Sequence, residues 1–324
     1  MNFVKPKVVL SKCIEFAECR YNGQSISSEV VKMLKDYVEF IPVCPEVEIG
    51  LSIPRDAVRV VSDDGLSTFK LKQIKTDKDF TFEMNEFSED FINNLEEVDG
   101  FILKSRSPSC GLNQVKVYRN TEKGAPISSK GKGFFGKKIY DFFCPKPIED
   151  EGRLNNFRIR NHFFTAIFSI ASFREVKKNM NMKNLVEFHS KNKFLILSYN
   201  EKELRILGKI VANKDKKSIE DVFFDYEKHF LNVFENIPNP NTALNVLMHV
   251  MGYFKDKISS DEKQFFLDTL KSYKDKRVPL SVPNHILKSW IIKYNEEYLS
   301  NQTFFEPYPK ELYIISDSGK GRNL

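Results

Sequence analysis

The sequence has no apolar stretch long enough to cross a membrane. Its longest strongly apolar run, HFFTAIFSIASF at residues 162–173, is shorter than the roughly 18–20 residues that a transmembrane helix requires. The first residues, MNFVKPKVVLSK, lack the apolar segment and the small-residue cleavage site of a signal peptide. We therefore expect a cytoplasmic protein that has no membrane partner.

Cysteines are few, and their number does not fit a disulfide framework. Five is an odd count, and without an export signal their thiols are expected to stay reduced. The chain also lacks the CxxC pairs that structural zinc sites often use. Packing, metal binding and catalysis remain as reasons for these residues.

The composition is that of a folded globular protein. Of 324 residues, 41% are hydrophobic and 29% charged, which excludes a disordered or collagenous chain, and the length favours about two domains. Residues 101–140 hold nine Lys and Arg against one acidic residue, and residues 151–324 hold 28 against 21. Such an excess either solvates a surface or contacts a polyanion such as nucleic acid, and charge alone leaves both open.

The first part of the chain alternates strand-like and helix-like segments. Asp63, Asp64 and Gly65 separate two of the strand-like segments and predict a hairpin. Strands alternating with helices predict a three-layer, Rossmann-like α/β domain with a mostly parallel sheet. The predicted strands are 7–11, 38–43, 57–61, 68–72 and 101–104, and the predicted helices are 29–37 and 87–98.

The alternation of strand-like and helix-like segments ends after residue 120. A Gly-, Ser- and Lys-rich segment at 121–138 predicts an exposed loop leading into a short helix, and Pro145, Pro147 and the acidic residues 149–151 mark a domain boundary. We predict that residues 1–152 form the α/β domain and residues 153–324 an all-α helical domain, whose histidines show no HExxH spacing. Apolar residues recur at helical spacing in 156–178, 182–198, 201–212, 218–236, 241–257, 261–274 and 285–299.

Three cysteines lie just beyond the carboxyl ends of predicted parallel strands. Cys13 follows the first strand, Cys44 the second, and Cys110 lies shortly after 101–104. Because ligands bind at this edge of an open α/β sheet, the three thiols are predicted to converge there. The alternative is that they are small hydrophobic residues in the core.

The turns around these cysteines favour a ligand role. Cys44 precedes Pro45, and Cys110 lies between Pro108 and Gly111, which suits rigid turns. Three thiolates select a soft metal, either zinc or an iron–sulfur cluster, and the spacing does not choose between them. Two cysteines are less clear: Cys19 is a possible fourth ligand, and Cys144 is assigned to packing.

Four motifs of the first domain together resemble the thiouracil desulfidase (TudS-like) family. They are SKCIEFAECRYNG (11–23), PVCPEVEIGLSIPR (42–55), FILKSRSPSCG (101–111) and PIEDEGRL (147–154). Four later motifs resemble the YbgA-type helical domain, and the two in this order are similar to two-domain tRNA thiouridine desulfidases (RudS-like). The later motifs are FHSKNKFLILS (188–198), NVLMHVMGYFK (245–255), VPLSVPNHILKSW (278–290) and PYPKEL (307–312).

The resemblance implies a cofactor and a substrate. It implies a [4Fe-4S] cluster held by Cys13, Cys44 and Cys110, with one open iron that captures the sulfur of a thiocarbonyl base. It leaves Cys19 out of the ligand set, because the family tolerates other residues there. The implied activity is a non-redox hydrolase reaction that converts 4-thiouridine of tRNA to uridine and sulfide. The sequence departs from the family in two places: IEF follows Cys13 where LLG is more usual, and EIG at residues 48–50 stands where GG is common after the CPE of residues 44–46. These departures concern the loops and not the ligands.

The reaction also needs proton transfer. Glu46, two residues after Cys44, is the candidate general acid or base, and its alternative role is an exposed helix cap. Ser107 is the candidate for hydrogen bonding to the base or the water, with Ser109 as its alternative. Lys104 and Arg106 either neutralise phosphate or flank the strand.

A basic surface over both domains suits the phosphates of thiolated tRNA, and no obligatory protein partner is evident. Two other functions stay open: a desulfidase of free thiouracil or thionucleotides, and a non-enzymatic RNA-binding protein with a structural metal. The candidate phosphate contacts, each of which is otherwise a solvated side chain, are Lys130, Lys132, Lys137, Lys138, Arg158 and Arg160.

Overall fold

The protein, in a computed structural model that describes residues 3–314, divides into two units. The first runs to Ala171 and includes the segment from Glu311, and the second is Ser172–Lys310. This division falls inside the helix Phe157–Lys178, later than the boundary after residue 152 that the sequence predicts. The assignment of sequence domains to 1–152 and 153–324 stays a prediction.

Within residues 3–314, the first unit contains two four-stranded sheets, where the sequence predicts a single mostly parallel sheet. One sheet has the order β2-β1-β5-β8 with all neighbours parallel, and the other has the mixed order β4-β3-β6-β7. The strands are β1 (Lys7–Ser11), β2 (Glu39–Val43), β3 (Val58–Val61), β4 (Lys70–Gln73), β5 (Gly100–Leu103), β6 (Val115–Tyr118), β7 (Ser128–Gly131) and β8 (Ile148–Asp150).

The central strands of the parallel sheet are apolar and buried. Val8, Val9 and Leu10 of β1 and Phe101 and Ile102 of β5 are all fully buried. Strands of a parallel sheet are covered on both faces and therefore consist of continuous apolar runs. The predicted fold class, an α/β domain with a mostly parallel sheet followed by helices, is confirmed.

The predicted loop at 121–138 contains a strand, which corrects the sequence prediction. β7 pairs antiparallel with β6, with Gly131 in register with Val115. A β-carbon on Gly131 would lie 2.6 Å from a methyl of Val117, so the close approach of the two strands requires glycine. The sequence of β7, SSKG, has no apolar alternation, which is why its pattern is that of a loop.

The proline-rich boundary also contributes a strand. β8 begins directly after Pro147, whose carbonyl accepts the N–H of Phe101 at 3.0 Å. Proline before the first residue of a strand removes no donor that the ladder needs. The segment therefore completes the parallel sheet next to β5, although its composition predicts a domain boundary.

Helices account for the remaining regular structure, and none among residues 3–314 is long and apolar enough to span a membrane. The first helices are α1 (Glu29–Leu34), α2 (Pro45–Glu48), α3 (Thr81–Asn94), α4 (Phe134–Phe143) and α5 (Phe157–Lys178). The later ones are α6 (Met182–Tyr199), α7 (Glu201–Ala212), α8 (Ile219–Val233), α9 (Pro240–Gly252), α10 (Ser260–Lys274), α11 (Ser281–Lys293) and α12 (Glu297–Ser300).

The second unit, a range that the structure describes throughout, contains helices and no strand. Its helices begin at the polar residues that cap helices: the side chain of Asn200 accepts the N–H of Glu203, and Ser259 forms a capping box with Glu262. α11 starts before Pro283, which lies in its first turn where proline is tolerated. The predicted helix at 285–299 is in fact α11 followed by the short α12.

One histidine of the second unit is packed in the protein. His189 Nδ1 lies 3.1 Å from the hydroxyl of Tyr226. Burial, together with the ammonium of Lys193, lowers the pKa of His189 to about 4. This is the packed state that a lone helical histidine most often adopts.

This histidine predicts acid-sensitive stability. Between pH 7 and pH 5 the unfolded chain binds a proton on His189 that the folded chain does not, so the free energy of unfolding falls by about 2 kcal/mol. Urea denaturation at the two pH values should show a smaller loss for His189→Gln than for the wild type. His285→Gln, an exposed site, is the control. Equal losses in wild type and His189→Gln would contradict the prediction.

Candidate active site

The loops after β1, β2 and β5 meet at one edge of the parallel sheet and enclose a cavity of about 390 Å³. Cys13, Cys44 and Cys110 all line it, so their predicted convergence is observed. Glu46 and Ser107 line it as well. Every residue predicted to hold the cofactor or to act in catalysis is therefore placed around one cavity, and their roles stay predictions.

The thiols of this cavity are largely shielded from water. Cys44 is 8% exposed and Cys110 5%. Burial raises the pKa of Cys110 to about 11 and that of Cys44 to about 12, and burial with the neighbouring thiols raises the pKa of Cys13 well above its ordinary value. A bound metal cation has the opposite effect on these pKa values, because it deprotonates the thiols that coordinate it.

The donor set suits a thiophilic metal group, since four cysteines, the three predicted ligands and Cys19, line one cavity. Within residues 3–314, no group of three or more His, Cys, Asp or Glu side chains is arranged to hold a metal ion. The fit therefore rests on the kind of donor and on the shared cavity.

Of the two remaining cysteines, one lines the cavity and the other does not. Cys19, 3% exposed, lines the same cavity, and its carbonyl oxygen lies 3.9 Å from the Cys44 sulfur. It is a fourth thiol at the site, as its spacing allows, although the resemblance leaves it out of the ligand set. Cys144 is exposed and is not among the lining residues, so its assignment to packing in the core is wrong.

The two serines before Cys110 have different partners. The Ser107 hydroxyl accepts the backbone N–H groups of Ser109 (3.3 Å) and Cys110 (3.1 Å), so it stabilises the turn. The Ser109 hydroxyl donates to Oε1 of Glu46 at 2.7 Å and lies 4.0 Å from the Cys110 sulfur. The two hydroxyls are themselves 2.9 Å apart. The structure thus places Ser109 between the carboxylate and the thiol.

Glu46 is a buried residue of the four-residue helix α2, 9% exposed. Its Oε2 accepts hydrogen bonds from the guanidinium of Arg55, the shorter at 2.6 Å. The alternative of an exposed capping Glu is therefore wrong. Sequence reasoning missed Arg55, although it is the only basic residue of the motif at 42–55.

The start of α4 packs against the turn that carries Cys110 and donates hydrogen bonds to it. Sequence reasoning also missed this contact. The N–H of Gly133 donates to the carbonyl of Gly111 at 2.7 Å, and that of Gly136 to Ser109 at 2.9 Å. A β-carbon on Gly133 would lie 2.5 Å from the Ser109 oxygen. Two glycines spaced by three residues, one directly before the apolar helix and one in its first turn, were the available signal.

Three further cationic side chains line the cavity. Lys104 Nζ is 2.5 Å from Glu151 Oε1 and also donates to Ser105, so it secures the loop. Arg106 is exposed, lines the cavity and has a positive φ of 59°. Arg20 also lines the cavity. Of the two cations that flank β5, Arg106 is the better placed to contact a phosphate.

The predicted phosphate contacts have mixed environments. Lys137 and Lys138 pair with Asp141 and Glu89. Lys132 lies 4.7 Å from the ring centre of Tyr140. Lys130, Lys132, Lys137 and Arg158 are exposed and Lys138 is half-buried.

Arg160 corrects the prediction. It is 4% exposed and donates to the backbone carbonyls of Leu154, Asn155 and Ile314. A guanidinium that binds the protein's own carbonyls in the interior is not a phosphate contact.

Comparison with known proteins identifies relatives of each part of the chain. Residues 8–151 match the family described as 2-thiouracil desulfurase, and residues 193–309 match a protein of unknown function (DUF1722). The uncharacterized protein YbgA of Escherichia coli (strain K12) is 29% identical over 150 residues, 46% of this chain and 89% of YbgA. The uncharacterized protein YbbK of Bacillus subtilis (strain 168) is 30% identical over 129 residues, 38% of this chain and 84% of YbbK.

One solved structure is similar as well. It is a [4Fe-4S]-dependent thiouracil desulfidase, TudS, which is 24% identical with a TM-score of 0.38 and is matched over 46% of this chain and 93% of its own.

Gly136 offers a test of how the Cys110 turn is supported. A β-carbon there would overlap the carbonyl of Cys110, so Gly136→Ala must displace the turn or the helix. We expect a loss of about 1–3 kcal/mol in the free energy of unfolding, measured by urea denaturation. Gly124→Ala, whose β-carbon would meet nothing within 4 Å, is the matched control. Equal stability of the two variants would show that α4 does not support the turn.

Proposed function

The chain belongs to the 2-thiouracil desulfurase family, with a YbgA-type second part, and we propose that it is a desulfidase of thiolated uracil. The observation that carries the proposal is the single cavity that Cys13, Cys44, Cys110 and Glu46 share. In the reaction, water supplies an oxygen to the thiocarbonyl carbon and the sulfur leaves as sulfide. One C=S bond becomes C=O, and nothing is oxidised or reduced.

The proposed cofactor is a [4Fe-4S] cluster held by Cys13, Cys44 and Cys110. When bound, such a cluster with three thiolate ligands supplies an iron with an open position, a Lewis acid for the substrate sulfur. The three cysteines that line one cavity at one edge of the sheet, Cys44 and Cys110 buried and Cys13 half-buried, support this assignment.

Glu46 is the proposed proton carrier. Its carboxylate lines the cavity, where it can accept a proton from the attacking water. The Ser109 hydroxyl, 2.7 Å from Oε1, orients that carboxylate, while Ser107 holds the Cys110 turn. A role for Ser107 in contacting the base remains part of the proposal, since its side chain also faces the cavity.

The proposed substrate is thiolated tRNA, with 4-thiouridine as the base. Arg20 and Arg106 at the cavity suit a phosphate-bearing substrate, and the basic excess of residues 101–140 and 151–324 suits a polyanion. A base buried in a folded RNA must be splayed out to reach a cavity. The YbgA-type part is the proposed tRNA-binding element.

Desulfurisation is tested anaerobically on the purified protein. Iron and sulfide are quantified, thiolated tRNA is added, and the thiocarbonyl absorbance is followed. We expect about four irons per chain and loss of that absorbance, abolished by Cys110→Ala and retained by the exposed-site control Cys144→Ala. Stoichiometric zinc, or a cluster-loaded protein that leaves thiolated tRNA and free thiouracil unchanged, would refute the desulfidase. Tight tRNA binding without turnover would favour an RNA-binding protein.

The choice between tRNA and a free base depends on phosphate contacts. Arg106→Ala should raise KM for thiolated tRNA at low salt while leaving KM for free 4-thiouracil unchanged, because only tRNA carries phosphates. Arg119→Ala, an exposed arginine of the same unit outside the cavity wall, is the control. Each lost phosphate contact should also reduce the slope of log affinity against log salt by about one. Turnover of free 4-thiouracil that exceeds that of tRNA would reverse the substrate assignment.

A further inference from the structure

Arg55 holds one oxygen of the Glu46 carboxylate. Its side chain is 3% exposed and lines the cavity. Nε and Nη2 both donate to Oε2 of Glu46, at 3.0 and 2.6 Å. Because Oε1 accepts from Ser109, both oxygens are engaged, and the plane of the carboxylate is fixed by groups on two sides.

The rest of the guanidinium is bound to the backbone. Nη1 and Nη2 donate to the carbonyl of Cys19 at 3.0 and 3.1 Å, and Nη1 also donates to that of Ser52 at 3.3 Å. A guanidinium has five N–H donors, and these bonds together with the two to Glu46 use all of them. Arg55 has no donor left for a substrate.

The same residue connects two loops of the site. Its backbone N–H donates to the carbonyl of Tyr21 at 2.8 Å, in the loop that carries Cys13 and Cys19. Its side chain reaches Glu46 in α2, directly after Cys44. One arginine therefore ties the loop after β1 to the helix after β2.

We propose that Arg55 is a positioning residue of the desulfidase site, a role that rests on the proposed function. It holds the Glu46 carboxylate in the orientation that proton transfer requires, and it fixes the Cys19 segment against α2. A lysine keeps the charge but has one compact ammonium with three donors, so it replaces only part of this network.

The first test is kinetic and uses the full-length, cluster-loaded enzyme. We expect Arg55→Gln to lower kcat about 100-fold with little change in KM, since Arg55 does not contact substrate. Arg55→Lys should restore part of kcat. The matched control is Arg153→Gln, because Arg153 also binds a glutamate through Nε and Nη2, Glu149 at 2.7 and 3.1 Å, outside the cavity wall.

A double variant separates action through Glu46 from a general loss of structure. If Arg55 acts through Glu46, kcat of Glu46→Gln/Arg55→Gln is no lower than that of Glu46→Gln alone. Wild-type kcat in Arg55→Gln, or losses that multiply in the double variant, would overturn the proposal.

The second test does not depend on turnover. Cys19 is buried in the wild type and Cys144 exposed, so iodoacetamide labelling followed by mass spectrometry reports on the Cys19 segment with Cys144 as internal reference. We expect Cys19 labelling to accelerate about tenfold or more in Arg55→Gln and to stay slow in Glu46→Gln, where Arg55 still binds the Cys19 carbonyl. Protection of Cys19 in Arg55→Gln overturns the proposal.

Failure of the proposed function is a separate outcome. If the wild type desulfurises no substrate, the proposed function is wrong, while the labelling of Cys19 still decides whether Arg55 positions the loop.

Discussion

The site depends on the parallel pairing of β1 with β2 on one side and with β5 on the other. Ser11 at the end of β1 is in register with Val43 at the end of β2, and Leu10 with Ile102. Strands that run in the same direction deliver the loops after their carboxyl ends to one edge. The register matters as much as the direction, because a slip of one residue would turn every side chain to the opposite face.

Much of this frame could be predicted from local sequence. Short apolar runs followed by turns located β1, β2 and β5, and the cysteines just beyond them were correctly predicted to converge. Three strands were not predicted. β6 was missed although its sequence, VKVY, alternates, whereas β7 is polar and β8 has only three residues next to proline. β8 pairs with β5, which lies far earlier in the chain and outside any short window, whereas β7 pairs with the nearby β6.

Contacts between residues that are distant in sequence also decide the details of the site, and local sequence does not predict them. The choice between Ser107 and Ser109 depends on a hydrogen bond from Ser109 to a residue 63 positions earlier, and sequence spacing does not contain that contact. Arg160 was mistaken for a surface cation because a charge count does not distinguish a solvated guanidinium from one that binds buried carbonyls. Chemistry that needs particular residue types was predicted, whereas the partners that orient those residues were not.

The segment from Glu311 belongs with the first unit, although the second unit separates the two in sequence. Arg160 reaches the carbonyl of Ile314 at 2.8 Å, and the ring of Tyr313 lies 5.6 Å from that of Phe157. During synthesis on the ribosome these contacts form only after residues 172–310 have emerged. In sequence, the helical unit is therefore an insertion within the first unit, whose two segments are joined only through that insertion.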